Sequence, residues 1–512
     1  MNPKENKLFP TDDVERFVNR YALGRDKCEG SSHFLRIKIP NGRLTAEQFK
    51  AIADLSERYG RGYAEITDRQ NLQLHWIESE DALKIFSKLE AIGFSTDHGG
   101  QGYPTAQHGD VRAIVGCPAA GLDRSELADA SPIVKELDGF FDGNRDFLDL
   151  PRKFKISVSG CHLNCVSPEI HDLSFVAVKQ STGKIGFAVL VGGTVAAAPQ
   201  LARPLNVVAK PEEILDITKC AVEIFRDFGS RESKAKARFR WLVDAWGTEK
   251  LRRTLEEKMG RTLETYRLKD LPTCIGEHVG VQPQKQDGYS YISIPVLCGV
   301  LSSGKMAKLA QIAQEHGSEE LRLTPFQNII FSNIQNKSVN NVLRSLKETG
   351  YSTASVHLNW TTLACAGNFC GKTLDHPKKR ASESTSYLTS RFKEALKNEK
   401  LRINFSGCPN GCARHLIADI GLQGTQLTSE GKTVPAYNVY VRGNGCSNPA
   451  LGRLIQRGVN AEKTKFAVAN LIDAYLKNGA KASFNEFCSG KTVEELQTIL
   501  NLNLGEMEKS AS

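Results

Sequence analysis

The chain repeats itself, and that constrains its fold more than any other feature. Residues 157–172 read SVSGCHLNCVSPEIHD and residues 404–419 read NFSGCPNGCARHLIAD. Aligning Cys161 with Cys408 also brings Cys165 onto Cys412 and Asp172 onto Asp419. An offset one residue longer sets Cys117, in VRAIVGCPAAG, on Cys365, in TTLACAGNFCG. Further upstream, ITDRQNLQL (66–74) resembles LTPFQNIIF (323–331). Matches in one order at similar offsets describe two related halves, joined near 270–285. At 512 residues the chain has room for about three or four domains, so the halves should be pairs of domains. Duplication of this form commonly places one site at the junction of the halves.

Each half opens with the same pattern. Residues 33–39 (HFLRIKI) alternate, 45–59 have helical spacing, and 63–76 read as strand, turn and strand. Residues 289–298, 305–316 and 321–333 repeat that order, a β-α-β unit that suggests a small open sheet with helices on one face. The block after it opens at a cysteine motif and mixes strands (175–179 and 185–191) with long helices (212–228 and 235–259). The expected fold class is α+β, internally duplicated, as two two-layer pairs around a pseudo-twofold axis. The expected domains are 1–104, 105–270, 286–350 and 351–512.

Composition excludes several classes. Hydrophobic residues are 40% and charged residues 24%, which is ordinary for a globular chain and not for a disordered one. A net charge of +9 permits anionic ligands or an acidic partner, but the charges are spread and aromatics are only 8%, which argues against nucleic acid. The most apolar run, 186–198 (GFAVLVGGTVAAA), is short of the roughly 20 residues a spanning helix needs, so it reads as a buried strand entering a tight turn, with no membrane partner expected. The N-terminus is polar and charged. Thirteen cysteines at irregular spacing do not form a disulfide framework; a reducing, cytoplasmic setting and metal ligation account for them better.

Four residues separate Cys365 from Cys370, and three separate Cys408 from Cys412. Four thiolates from two loops suit a four-iron cluster, one sulfur per iron. Zinc also takes four thiolates, and small buried hydrophobes are the bland alternative. Gly367, Gly371, Gly407 and Gly411 favour metal, since they let backbone N–H groups approach the sulfurs. In the first half, Cys117, Cys161 and Cys165 copy three of the four positions, with Leu122 or Asp123 where the fourth would stand. They read as relics of the duplication or packing thiols.

SGCPNGCARH (406–415), ACAGNFCG (364–371), TDRQNLQLHW (67–76), GDVRAIVGCPAAG (109–121), LPRKFKISVSG (150–160) and FAVLVGG (187–193) together resemble the sirohaem-containing sulfite and nitrite reductases, from about His33 to Cys488. The resemblance implies two ferredoxin-like β-α-β half-domains and two mixed α/β domains that bind sirohaem. It implies that Cys365, Cys370, Cys408 and Cys412 ligate a [4Fe–4S] cluster, with the sulfur of Cys412 shared with the sirohaem iron. It places Arg69 and Arg152 at the substrate anion, and Arg112, Asn71 and Gln73 at the cofactor. Two departures stand out. The family usually has five residues between the first two cysteines, and it carries a lysine where Ala198 follows Gly192–Gly193 here; the next positive charge is Arg203. The basic stretch Lys234, Lys236, Arg238 and Arg240 could supply charges to sirohaem carboxylates or to the anion pocket, but a helix surface is its expected home. The implied activity is six-electron reduction of nitrite to ammonia by a monomer. The alternatives are an assimilatory sulfite reductase or a sirohaem-binding protein without activity. A small acidic ferredoxin is the expected donor, because no Rossmann glycine fingerprint follows a strand. Nitrite is preferred over sulfite because a singly charged anion needs less compensation in a pocket lacking that lysine.

Overall fold

The computed structural model describes residues 23–25, 32–94, 109–196, 198–268, 276–318, 320–373, 375–397, 399–429, 431–445, 449–479 and 482–504. The N-terminal extension of the first expected domain and part of the expected junction lie outside them. The chain divides into two compact units. The first comprises residues up to Thr194, Gln200–Pro295 and Gly299–Thr353; the second takes Val195–Pro199, Val296–Cys298 and the residues from Ala354 onward.

The first unit holds both copies of the small repeat, each an antiparallel sheet with helices. Helix Ala46–Tyr59 starts where Thr45 accepts a hydrogen bond from the Gln48 N–H (3.0 Å) and the Gln48 side chain accepts one from the Thr45 N–H (2.8 Å), a reciprocal cap. Its buried residues Phe49, Ile52, Ala53 and Leu55 recur at helical spacing. Its counterpart Ser303–Glu315, capped by Ser302, buries Met306, Leu309, Ala310 and Ala313, and the two helices pack together.

The two small sheets exchange an edge strand. Arg43–Thr45, from the first repeat, pairs with Glu320–Leu323 of the second, and Val300–Ser302, from the second, pairs with Tyr63–Ile66 of the first. The repeated Gln-Asn pair stitches this exchange. The Gln70 amide donates to the carbonyl of Leu323 (3.0 Å), and the Gln327 amide donates to the carbonyl of Ile66 (3.0 Å). The turns need glycine. A Cβ on Gly42 would stand 2.4 Å from the Leu323 oxygen, and one on Gly299 would stand 2.7 Å from that of Ile66.

The larger repeat gives two sheets of one topology, one in each unit. In the first unit, Val115–Gly116, Ile156–Ser159 and Leu173–Lys179 run parallel, and Ile185–Val191 and Arg203–Ala209 continue antiparallel. In the second, Leu363–Ala364, Ile403–Ser406 and Ile420–Ser429 run parallel, followed by antiparallel Lys432–Val441 and Arg453–Asn460. Each carries its own apolar core, and the aligned aspartates do the same work in both. Asp172 accepts from the Lys155 N–H (2.8 Å), and Asp419 accepts from the Arg402 N–H (2.9 Å).

The apolar run forms strand Ile185–Val191 and turns at Gly192, where φ is +82°. Two expected helices differ in extent. The first begins at Ile214, after a 3₁₀ turn opened by Pro211. The second begins at Phe239 after a separate 3₁₀ turn, Lys234–Lys236, and breaks at Gly247, whose φ of 71° no helix accommodates. No described helix is long and apolar enough to cross a membrane.

Candidate functional site

In the second unit, Cys365 directly follows Leu363–Ala364, and Cys408 follows the parallel neighbour Ile403–Ser406 by two residues. Adjacent parallel strands end side by side, so the two cysteine loops start from one edge. The Gly407 N–H donates to the Cys365 sulfur (3.2 Å), and the Cys370 thiol donates to the Gly367 carbonyl (3.0 Å). Burial pushes the Cys365 thiol up, with Cys412 and Cys370 adding to the effect. Burial also pushes the Cys370 thiol up to about 11, with Cys412 and Cys408 acting on it. Cys365 thus feels the charges of Cys412 and Cys370, and Cys370 those of Cys412 and Cys408, an arrangement that a cation among the sulfurs would relieve. Cys412 is exposed and the other three are half-buried. The turn between Cys408 and Cys412 closes on the segment after Gly192–Gly193. Gly411 has φ of +63°, and a Cβ there would lie 2.2 Å from the Val195 oxygen. This donor set and its N–H···S contact fit an iron–sulfur cluster.

In the first unit, the segments GDVR and LPRKF run together. The Gly109 N–H donates to the Leu150 carbonyl, the Arg112 N–H donates to that of Phe154 (both 2.8 Å), and a Cβ on Gly109 would stand 2.1 Å from the Arg152 carbonyl carbon. The Arg69 guanidinium donates to the carbonyl of Ala113, beside Arg112. Arg112 pairs with Asp110 (3.1 Å), yet its buried Nη1 finds no hydrogen-bond partner among the described residues. Arg238 is buried against Asp172 (2.7 Å), which corrects the expectation of a helix surface: it precedes the first turn of Phe239–Met259, and that end of the helix is packed in the core. Burial pushes the Arg152 guanidinium down, and the charges of Arg238 and Arg112 push it further. No carboxylate among the described residues pairs with Arg152. A half-buried guanidinium that feels the charge of two others has the character that suits an anion, whether substrate oxygen or cofactor carboxylate.

Asn71 and Gln73 face inward. The Asn71 side chain accepts from the Ile39 N–H (3.0 Å). Gln73 accepts from Arg36 (2.8 Å) and donates to Glu65 (3.0 Å), beside His75. Arg203, next after the missing lysine, pairs with Asp244 (2.6 Å).

The first unit also gathers Cys117, Cys161, Cys165 and His278, whose donor atoms all lie within 4.8 Å of one another. Packing thiols alone would account for three buried sulfurs but not for a buried imidazole among them. His278 escaped sequence reading because it lies outside the repeated motifs. Its only signal was its place in the 270–285 segment, at which the halves join.

The nitrite and sulphite reductase 4Fe-4S domain model matches the chain twice, at 108–263 and 355–505. The ferredoxin-like half domain model of the same enzymes also matches twice, at 27–92 and 282–349. The chain belongs to the nitrite and sulphite reductase family. It is an oxidoreductase with that family's cofactors, sirohaem and a [4Fe–4S] cluster. It is 34% identical over 447 residues to the ferredoxin–nitrite reductase of Leptolyngbya laminosa, covering 86% of this chain and 85% of the relative. It is 30% identical over 452 residues to sulfite reductase (ferredoxin) 2 of Mycolicibacterium paratuberculosis, covering 87% and 78%. The solved structure of the Mycobacterium tuberculosis NirA protein superposes with a TM-score of 0.89 at 25% identity, covering 97% of this chain and 93% of that one. Each family model matches once per half, so the repeat in the sequence is the family's own duplication.

Proposed function

We propose that this reductase converts nitrite to ammonia with electrons from reduced ferredoxin. The observation that carries the reading is Arg152, a half-buried cation with no carboxylate partner among the described residues, set beside Arg112 and Arg238. When bound, the sirohaem and the iron–sulfur cluster would supply the redox chemistry, electrons reaching the anion one at a time. Cys365, Cys370, Cys408 and Cys412 would hold the cluster, and the exposed Cys412 would couple it to the sirohaem. Arg69 and Arg152 bind the substrate anion and polarise its oxygens; a guanidinium stays protonated at neutral pH, so they orient and stabilise rather than act as net acids. Arg112, with its buried Nη1 unpartnered among the described residues, takes a sirohaem carboxylate. Asn71 and Gln73 serve by holding the strand and turn that carry Arg69.

The net charge of +9 suits a small acidic donor. Relatives named sulfite reductase support sulfite as the second reading, whereas Ala198 in place of a lysine favours the singly charged anion. The test is kcat/KM for nitrite and for sulfite with one reduced donor. Nitrite should lead by tenfold or more; an equal or opposite ratio overturns the substrate assignment.

A further inference from the structure

We propose that Cys117, Cys161, Cys165 and His278 bind one zinc ion, a structural centre in the half of the chain that does not carry the iron–sulfur cluster. Zinc–sulfur bonds of about 2.3 Å and zinc–nitrogen bonds of about 2.0–2.1 Å in a tetrahedron set donor atoms roughly 3.5–3.8 Å apart. Here Cys117 Sγ lies 3.3 Å from His278 Nε2, and Cys161 Sγ lies 3.5 Å from Cys165 Sγ. A four-iron cubane has to fit between its cysteines, and donors this close leave room for a single ion.

The groups around the donors point the same way. His278 Nδ1 sits 3.1 Å from Asp123 Oδ2 and 3.2 Å from Tyr291 Oη, which turns Nε2 toward the sulfurs. A carboxylate behind a histidine is the usual support of a metal-bound imidazole. Buried thiols packing as small hydrophobes have no use for it. All four donors are 0–2% exposed, within a shell that includes Val115, Ala119, Ala120, Val166 and Ile330. A closed shell leaves no coordination position for water or substrate, so the centre is structural rather than catalytic. Three thiolates on a divalent ion leave one negative charge. Buried Arg322 stands beside it, donating to the carbonyls of Pro118 (3.1 Å) and Ala120 (2.6 Å) in the turn after Cys117. Three sulfurs and one imidazole select zinc over the harder magnesium or calcium.

The duplication explains where the site came from, and the fold explains its fourth donor. Cys117 and Cys161 follow adjacent parallel strands, as Cys365 and Cys408 do in the second unit. The fourth ligand comes instead from the segment beyond the repeat. The Gly276 N–H donates to the Leu163 carbonyl (2.8 Å), which lays this segment over the turn between Cys161 and Cys165. The ion would fasten the segment joining the halves to the first of them.

The test is metal analysis of the holoenzyme purified without chelator from zinc-replete cells, with X-ray absorption at the zinc edge. One zinc per chain is expected, with three sulfurs and one nitrogen around it. His278→Ala should lose zinc while keeping its iron. Because that variant could also unfold, His278→Cys provides an independent arm: it should retain zinc and change the shell to four sulfurs. Zinc far below one per chain, a zinc shell without sulfur, a Cys161–Cys165 disulfide in the purified protein, or iron in place of zinc would each overturn the assignment.

Discussion

Arg152 bears a cost that folding alone does not explain. It gives up hydration and stands near the like charges of Arg238 and Arg112, so an anion brought between them relieves the strain. Arg152→Ala is expected to lower kcat/KM for the anion roughly 10- to 100-fold, the loss of a charge-assisted bond worth on the order of 1.5–3 kcal/mol. Thermal stability should hold or rise, because repulsion is removed; a marked fall with cofactors retained would assign Arg152 to the fold instead. Arg69→Ala should act similarly, and Arg69→Lys should rescue only in part, since lysine keeps the charge and loses the planar fork. His415 belongs to a different class. It is fully buried, its Nε2 is 3.3 Å from the Gln423 amide nitrogen, and its ring meets Tyr440 edge-on at 5.4 Å. Burial pushes its imidazole down to about 4, against about 6.5 unfolded. The unfolded chain then binds the extra proton first, so this stability is complete above pH 6.5 and is lost as pH falls from there toward 4. The loss is at most about 3 kcal/mol. Thermal midpoints across that range should fall more steeply in wild type than in His415→Gln; parallel curves would count against it.

The ends of parallel strands deliver the cysteines, and the turns after them must be close-fitting. Gly411 is the tightest such case in the second unit, combining φ of +63° with a backbone oxygen 2.2 Å from where a Cβ would go. Gly411→Ala should displace the Cys408–Cys412 turn and reduce cluster iron, read as lost visible absorbance at unchanged expression. Full iron content would show that the turn adapts. Gly160 and Gly407 occupy the same place in the two repeats but for different reasons. A Cβ on Gly160 would meet the Ala128 oxygen at 1.9 Å, and one on Gly407 would meet Thr373 at 2.9 Å and Pro377 at 3.1 Å. Repetition preserves the glycine while its neighbours change.

For the whole chain, the exchanged strands tie the two small repeats into one unit. A fragment ending before Gly288 leaves Tyr63–Ile66 without its partner Val300–Ser302, and leaves Arg43–Thr45 without Glu320–Leu323. Expressed alone it should aggregate through those open edges, and supplying the second repeat in trans should restore soluble material. A monodisperse fragment would refute that dependence. Iron analysis of the whole enzyme should return about five per chain, four in the cluster and one in the haem. The duplication and the kinds of element were legible in the sequence, because spacing, periodicity and turn chemistry are local properties. The exact extents of the helices were less so, since Pro211 delays the start of one and Gly247 breaks the other within residues that otherwise favour helix. Other features needed the tertiary structure. Arg238 looked like a surface charge until Asp172 was found against it, 66 residues away in sequence. Gln70 had no role legible in the sequence, and its partner is the Leu323 carbonyl, 253 residues away. His278 carried no pattern at all, yet it stands among three cysteines, with Cys117 161 residues away. A side chain's role there depends on which distant groups the closed chain brings to it, and no local pattern encodes that.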